Sequence, residues 1–109
     1  MAHRQDLVID QGSRFQWVYE VTGMSLAGMT ARMHIRKIPG TELLLDASGY
    51  LEVDVLNGFV ILDIPASATI GHTWRRGVYD IEVYNASIES ISPERIVQGD
   101  VELDREVTV

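Results

Sequence analysis

The sequence predicts an all-β domain, an antiparallel two-sheet β-sandwich of about seven to eight short strands. Three observations carry this prediction. Apolar and polar residues alternate with a period of two in several separate stretches. Turn residues punctuate the chain at roughly the 8–12-residue interval of sandwiches and barrels. No stretch repeats its apolar residues at helical spacing, and no βαβ rhythm appears, which speaks against a parallel sheet.

In chain order, Leu7-Val8-Ile9 reads as a short strand ahead of a turn at Gln11-Gly12-Ser13. Residues 14–21 follow with Phe15, Trp17, Tyr19 and Val21 on one face and Arg14, Gln16, Val18 and Glu20 on the other. Successive strand side chains point to opposite faces, so this is a half-buried strand. Residues 30–37 repeat the pattern, with Ala31, Met33 and Ile35 inward against Arg32, His34 and Arg36. Leu43-Leu44-Leu45 comes after a Pro39-Gly40 turn. Leu51, Val53 and Val55 alternate with Glu52 and Asp54, and Asn57-Gly58 then precedes an apolar run over 59–64. Asn-Gly between strands predicts a type I′ hairpin, because both central residues need positive φ and these two types tolerate it.

Pro65 to Ile70 is the one place for a single helical turn, with Pro at the start and Gly71 at the end. Residues 78–84 set Tyr79, Ile81 and Val83 against Asp80 and Glu82. Residues 95–103 set Val97, Val101 and Leu103, with Gly99 in register, against Gln98, Asp100 and Glu102.

With 109 residues, 46% hydrophobic and 23% charged, the chain suits one globular domain over 1–109. Cysteine is absent, which removes disulfide scaffolds, thiol nucleophiles and Cys-ligated metals. Sixteen acids against nine Lys+Arg give a net charge of −7. That balance speaks against nucleic acid or anionic lipid as a partner, since both need a positive footprint. The first residues lack an apolar signal region, and no stretch approaches a membrane-spanning length, so a soluble protein made in the cytoplasm is expected.

Chemistry-bearing patterns are sparse. His3 lies near a terminus expected to be mobile, His34 on an outward strand face and His72 in a loop, with no metal-ligand spacing among them. Ser13, Ser48 and Ser87 read as turn residues, and no nucleophile elbow or phosphate loop occurs. Glu52/Asp54, Asp80/Glu82 and Asp100/Glu102 each place two carboxylates on one strand face. Glycosidase or calcium chemistry wants such pairs, but solvated faces produce the same spacing and are favoured here. No catalytic, cofactor or metal residue is therefore assigned.

The residues expected to meet partners are different. Arg32 and Arg36, with Lys37, form a basic stripe, and Arg75-Arg76 a second cluster suited to an acidic surface, including that of another copy. Trp74 beside those arginines has the composition of an interface anchor, or else folds back to cap the core. Met24 and Leu26, with Met29, occupy a Gly-bounded loop, where they either plug the sandwich or meet a partner. Tyr50, Trp74 and Tyr84 are the aromatics that a carbohydrate-binding face would use.

The order of motifs adds to this reading. Asp6-Leu7-Val8-Ile9-Asp10-Gln11-Gly12-Ser13-Arg14-Phe15 opens the chain, followed by Leu26-Ala27-Gly28-Met29-Thr30-Ala31-Arg32-Met33-His34-Ile35-Arg36. Gly77-Val78-Tyr79-Asp80-Ile81-Glu82 and Arg95-Ile96-Val97-Gln98-Gly99-Asp100-Val101 come later, and Asp104-Arg105-Glu106-Val107-Thr108 ends the series. Together these resemble a family of small virion proteins of tailed bacteriophages, and the plan is similar to N-terminal domains of some baseplate proteins. Met29 stands where that family often has an aromatic, Asp100 replaces a common Arg, and residues 85–93 exceed the usual tight turn.

The resemblance implies an immunoglobulin-like module without catalytic residues or cofactor. Its expected place is the virion, as an adaptor or connector in tail, neck or baseplate, in contact with other virion proteins and copies of itself. A capsid decoration protein and a carbohydrate-binding module are the alternatives.

Overall fold

The computed structural model describes residues 3–38, 40–88 and 92–105. Pro39 of the expected turn, residues 89–91 of the 85–93 segment, and Glu106, Val107 and Thr108 of the closing motif lie outside the described residues. The strands are β1 (His3–Arg4), β2 (Leu7–Asp10), β3 (Phe15–Glu20), β4 (Thr30–Arg36) and β5 (Leu43–Asp46). After them come β6 (Leu51–Asp54), β7 (Phe59–Ile64), β8 (Arg76–Tyr84) and β9 (Glu94–Asp104). Short 3₁₀ turns occupy Ser48–Tyr50 and Ala66–Ala68, the second within the predicted helical turn. No helix among the described residues is long and apolar enough to cross a membrane.

Two sheets face each other, as the alternation requires. The larger runs β1-β9-β8-β4-β5, with β2 also pairing β9, and the smaller runs β3-β7-β6. This is a two-sheet β-sandwich. Between the sheets, Met33, Ile35, Ile81 and Val97 of the larger one meet Val60, Leu62 and Ile64 of the smaller one, all essentially buried. Phe15, Trp17 and Tyr19 pack against this core while remaining partly exposed. Ile96 joins it through a bulge: Ile81 pairs Val97 and Glu82 pairs Arg95, which leaves Ile96 as the extra residue, and both Ile96 and Val97 are buried.

One edge departs from the antiparallel expectation. β1 and β2 run parallel to β9, with His3 opposite Val97 and Leu7 opposite Val101. A parallel pair needs a long crossover, and here the rest of the sandwich supplies it, so no βαβ signal is required. His3 is accordingly held in a ladder, its ring 5.9 Å from that of Tyr19, and is not a loose terminus. The register offset is the same on both sides of Gln5 and Asp6. These two residues nevertheless bend inward over Gly99: the Gln5 N–H donates to Gln98 O (2.9 Å), the Asp100 N–H to Asp6 Oδ1 (2.9 Å). Tyr79, cross-strand neighbour of Gly99, passes over it and donates its hydroxyl to Gln5 O. Burial, and next the nearby Asp6 carboxylate, raise the Tyr79 pKa well above its ordinary value, so the phenol stays protonated as this bond demands.

The hairpin at Asn57-Gly58 exists, with Asp54 opposite Phe59, but its turn is not type I′. Only Gly58 has positive φ (74°). The loop is longer by two residues because Asp54 organises it. Its carboxylate accepts the Asn57 backbone N–H (3.2 Å) and side-chain amide (2.8 Å), and its carbonyl accepts the Gly58 N–H (2.9 Å).

Candidate interaction surfaces

The outward face of the larger sheet is a lattice of opposite charges. Antiparallel register puts Arg32 opposite Glu82 and His34 opposite Asp80, so acids and bases alternate across the strands. Arg32 meets Glu82 at 3.1 Å and lies over the Tyr84 ring at 5.0 Å. Arg95 meets Asp80 at 3.1 Å, Arg4 spans Asp6 (3.2 Å) and Asp100 (3.3 Å), and His34 approaches Asp46 at 3.7 Å. Arg36 donates to its own turn at Thr41 O (2.7 Å). Each exposed pair is worth about 0–1 kcal/mol, so this lattice specifies register more than it adds stability. Arg32 and Arg36, expected to reach a partner, already have neighbours within the chain.

A groove of about 440 Å³ crosses this face, lined by Arg4, His34, Arg36, Asp80, Arg95 and Asp100 among others. Its charges answer one another and do not converge on a common point. No cluster of three or more His, Asp or Glu able to hold a metal occurs among the described residues.

The end of the sandwich where β2 stops and β8 starts is built around Thr69, which is 1% exposed. Its hydroxyl accepts the Gly12 N–H (2.8 Å), while the Gln11 side-chain amide donates to Thr69 O (3.0 Å) and His72 O (2.8 Å). These bonds tie the β7–β8 loop to the β2–β3 turn. Trp74 packs against the core and donates its indole N–H to His72 Nδ1 (3.1 Å), which leaves the neutral imidazole proton on Nε2. Trp74 therefore packs onto one end of the core while staying partly exposed.

Arg75 and Arg76 are consequently turned outward. The Arg75 carbonyl accepts the Leu103 N–H (2.7 Å), and the Arg76 side chain is 85% exposed, 3.8 Å from Glu102. Beside them lie Lys37, Glu42 and Leu43 on one side and Glu102, Asp104 and Arg105 on the other, and Ile38 and Ile70 of the neighbouring loops are exposed.

The opposite end holds the Gly-bounded loop. Leu26 is only 2% exposed and belongs to the core, so it is not a contact residue. The Leu26 carbonyl accepts the Met29 N–H (3.0 Å) and Gly28 turns with φ 73°, which draws this segment over the core. Met24 is half-buried against the same core. The exposed apolar residues of this end are instead Val55 and Leu56, the latter 93% exposed, at the tip of the β6–β7 hairpin, with Ile88 in the segment after β8. Val18, also exposed, sits on the outer face of the smaller sheet beside Glu20, opposite Ile61, whose other neighbour is Glu52. Sequence reasoning passed over this patch, though two adjacent hydrophobics inside a turn, and a Val at an outward position, are its signal.

Tyr50, Trp74 and Tyr84 do not form one platform. Trp74 precedes β8 and Tyr84 ends it, so roughly 27 Å of strand lies between them. Tyr50 packs against the core from a 3₁₀ turn.

No protein-family model matches the chain, and no curated protein matches it.

Proposed function

We propose that the chain is a non-enzymatic structural component of a tailed bacteriophage particle, an adaptor or connector in tail, neck or baseplate that assembles in several copies. The observation that carries this reading is the distribution of exposed apolar side chains. Five of them stand on loops at the two ends of the sandwich, Val55, Leu56 and Ile88 at one and Ile38 and Ile70 at the other, while Val8, Val18 and Leu43 stand on strands. The broad sheet face between them is occupied by its own ion pairs. Exposed apolar residues on loops rimmed by charge are what protein contact uses. The order of motifs, which resembles small virion proteins, supplies the setting. Short edge strands such as β5 offer backbone groups for strand addition as a further means of assembly.

The test is physical association with particles. Particles from cells carrying the gene are banded on a density gradient and probed with antibody to the chain. Co-banding in several copies per particle is expected. Signal confined to the soluble fraction at the top of the gradient overturns the reading.

A further inference from the structure

We propose that Asn57 is a site of spontaneous chemical modification, conversion of its side-chain amide to a carboxylate through a cyclic imide, and that Asp54 holds this reaction back in the folded chain. The proposal concerns the β6–β7 hairpin alone and does not depend on the virion reading.

The residue pair favours the chemistry. In Asn57-Gly58 no side chain on the second residue shields its backbone nitrogen, and glycine reaches the backbone conformations that ring closure needs. Asn57 is exposed in the turn, so water has access to it. The Gly58 backbone nitrogen, after losing its proton to hydroxide, attacks Asn57 Cγ and forms a Cγ–N bond. The Cγ–Nδ2 bond breaks, and the departing nitrogen takes up protons from water and leaves as ammonia. Water then opens the imide ring at either of its carbonyls. Opening at Cγ leaves aspartate, whereas opening at the Asn57 backbone carbonyl leaves isoaspartate, whose main chain runs through Cβ and Cγ. One water is consumed, one ammonia is released, and nothing is oxidised or reduced.

The folded hairpin opposes each stage. The Gly58 N–H donates to Asp54 O at 2.9 Å, which resists loss of its proton and fixes the peptide plane that must rotate. The side-chain amide of Asn57, the leaving group, donates to Asp54 Oδ2 at 2.8 Å, and the Asn57 backbone N–H donates to Asp54 Oδ1 at 3.2 Å. Bonds to a carboxylate are the stronger kind, and these hold Cγ away from the approach it must make to the Gly58 nitrogen. On the far side, Gly58 O accepts the Val21 N–H at 2.8 Å and anchors the glycine itself. Hydrogen bonds from Asn57 keep the Asp54 carboxyl below the usual carboxylate range, so it is ionised at neutral pH. Its negative charge disfavours the amide anion that attack requires.

The product does not fit the turn. A carboxylate at position 57 would face Asp54 where an amide now donates, and isoaspartate would add a main-chain carbon inside the loop. Either change releases the hairpin tip that carries Val55 and Leu56.

The experiment is peptide mass mapping of the whole chain during storage at neutral pH, folded in buffer and unfolded in urea. Conversion at Asn57 should be at least about tenfold slower in the folded chain, a barrier difference of about 1.4 kcal/mol. Asp54→Ala removes the carboxylate and both of its bonds to Asn57, and should recover most of that factor. Asp54→Asn keeps the shape and an acceptor without the charge, and should give an intermediate rate with the parent circular dichroism. Glu52→Ala removes a neighbouring carboxylate of β6, and Thr69→Val weakens the opposite end of the sandwich. Both should react at the parent rate.

An Asn57 that stays intact in urea overturns the site, and equal rates in the folded and unfolded parent overturn its protection. Asp54→Ala and Asp54→Asn rates no higher than the parent's, or an equal rise in Thr69→Val, would assign the slowing to the fold at large and overturn the role of Asp54.

Discussion

Replacing Gly99 with alanine tests the tightest point of the sandwich. Gly99 does not have a positive φ, so its backbone suits any residue and only space is at stake. A Cβ there would lie 2.8 Å from the Gln5 carbonyl carbon and 2.9 Å from Asp6 Oδ1, and closer still to the Gln5 carbonyl oxygen. These are mostly backbone atoms, so relief requires the β1–β2 segment to lift from β9. Forcing an atom into a packed site costs about 1–3 kcal/mol. Lifting the segment also strands the buried Tyr79 hydroxyl, at about 1–3 kcal/mol. The reduced freedom of the unfolded alanine chain returns roughly 0.4–1 kcal/mol. The net is about 3 kcal/mol, or roughly 12–24 °C in Tm for a domain near this size. Urea denaturation with thermal melts measures it. Gly49→Ala is the control, since nothing lies within 4 Å of its Cβ position, and it should be neutral or slightly stabilising. Gly77→Ala, whose Cβ would meet Arg36 O at 2.7 Å but otherwise movable side chains, should fall between. A Gly99→Ala variant as stable as the Gly49 control would refute the close crossing of Gln5 over β9.

Three further outcomes follow from individual contacts. Leu26→Ala should cost about 2–5 kcal/mol in urea denaturation, as for any large buried aliphatic residue, whereas a surface contact residue would show almost no change. Thr69→Val keeps the shape but leaves the Gly12 N–H without its acceptor, so about 1–3 kcal/mol should be lost, and amide exchange at Gly12 should quicken. Asp46, Asp54 and Asp63 have pKa values lowered from the ordinary 3.8, chiefly by hydrogen bonds from Ser48, Asn57 and Arg14 respectively. Depressed carboxylates contribute stability that is complete above the unfolded value and lost as pH falls through the folded one. Tm should therefore hold steady from pH 7 to about 5 and fall below about 4, and Asp54→Asn should shallow that fall in a pH series of melts. An unchanged acid slope in the variant would contradict the role of Asp54.

Much of the fold was legible because a strand with one buried face declares itself locally. Phe15, Trp17 and Tyr19, or Tyr79, Ile81 and Val83, need no partner to be recognised, since burial of one face fixes the period. Pairing is different. The parallel seam between β2 and β9 joins residues at the two extremes of the chain, and Leu7 and Val101 carry no mutual mark in the sequence. The turn at Asn57-Gly58 was misread for a related reason: Asp54 outcompetes the dipeptide by supplying a carboxylate to the Asn57 N–H. For the surfaces, the exposure of Arg75 and Arg76 follows from their charge, but a loop without period cannot say that Leu26 turns inward while Leu56 stays out.

The seam ties the sandwich together along its length. Because Gly99 lets Gln5 and Asp6 settle onto β9, the strands nearest the chain's beginning and end lock into one ladder along the molecule's length. The ion-paired outer face and the Tyr79 bond stiffen the same strands. Gly99→Ala should therefore loosen β1 and β2 before it unfolds the sandwich, so that amide exchange at Gln5 and Asp100 quickens more than exchange in β4. Equal quickening in both places would show that the seam does not open as a unit of its own.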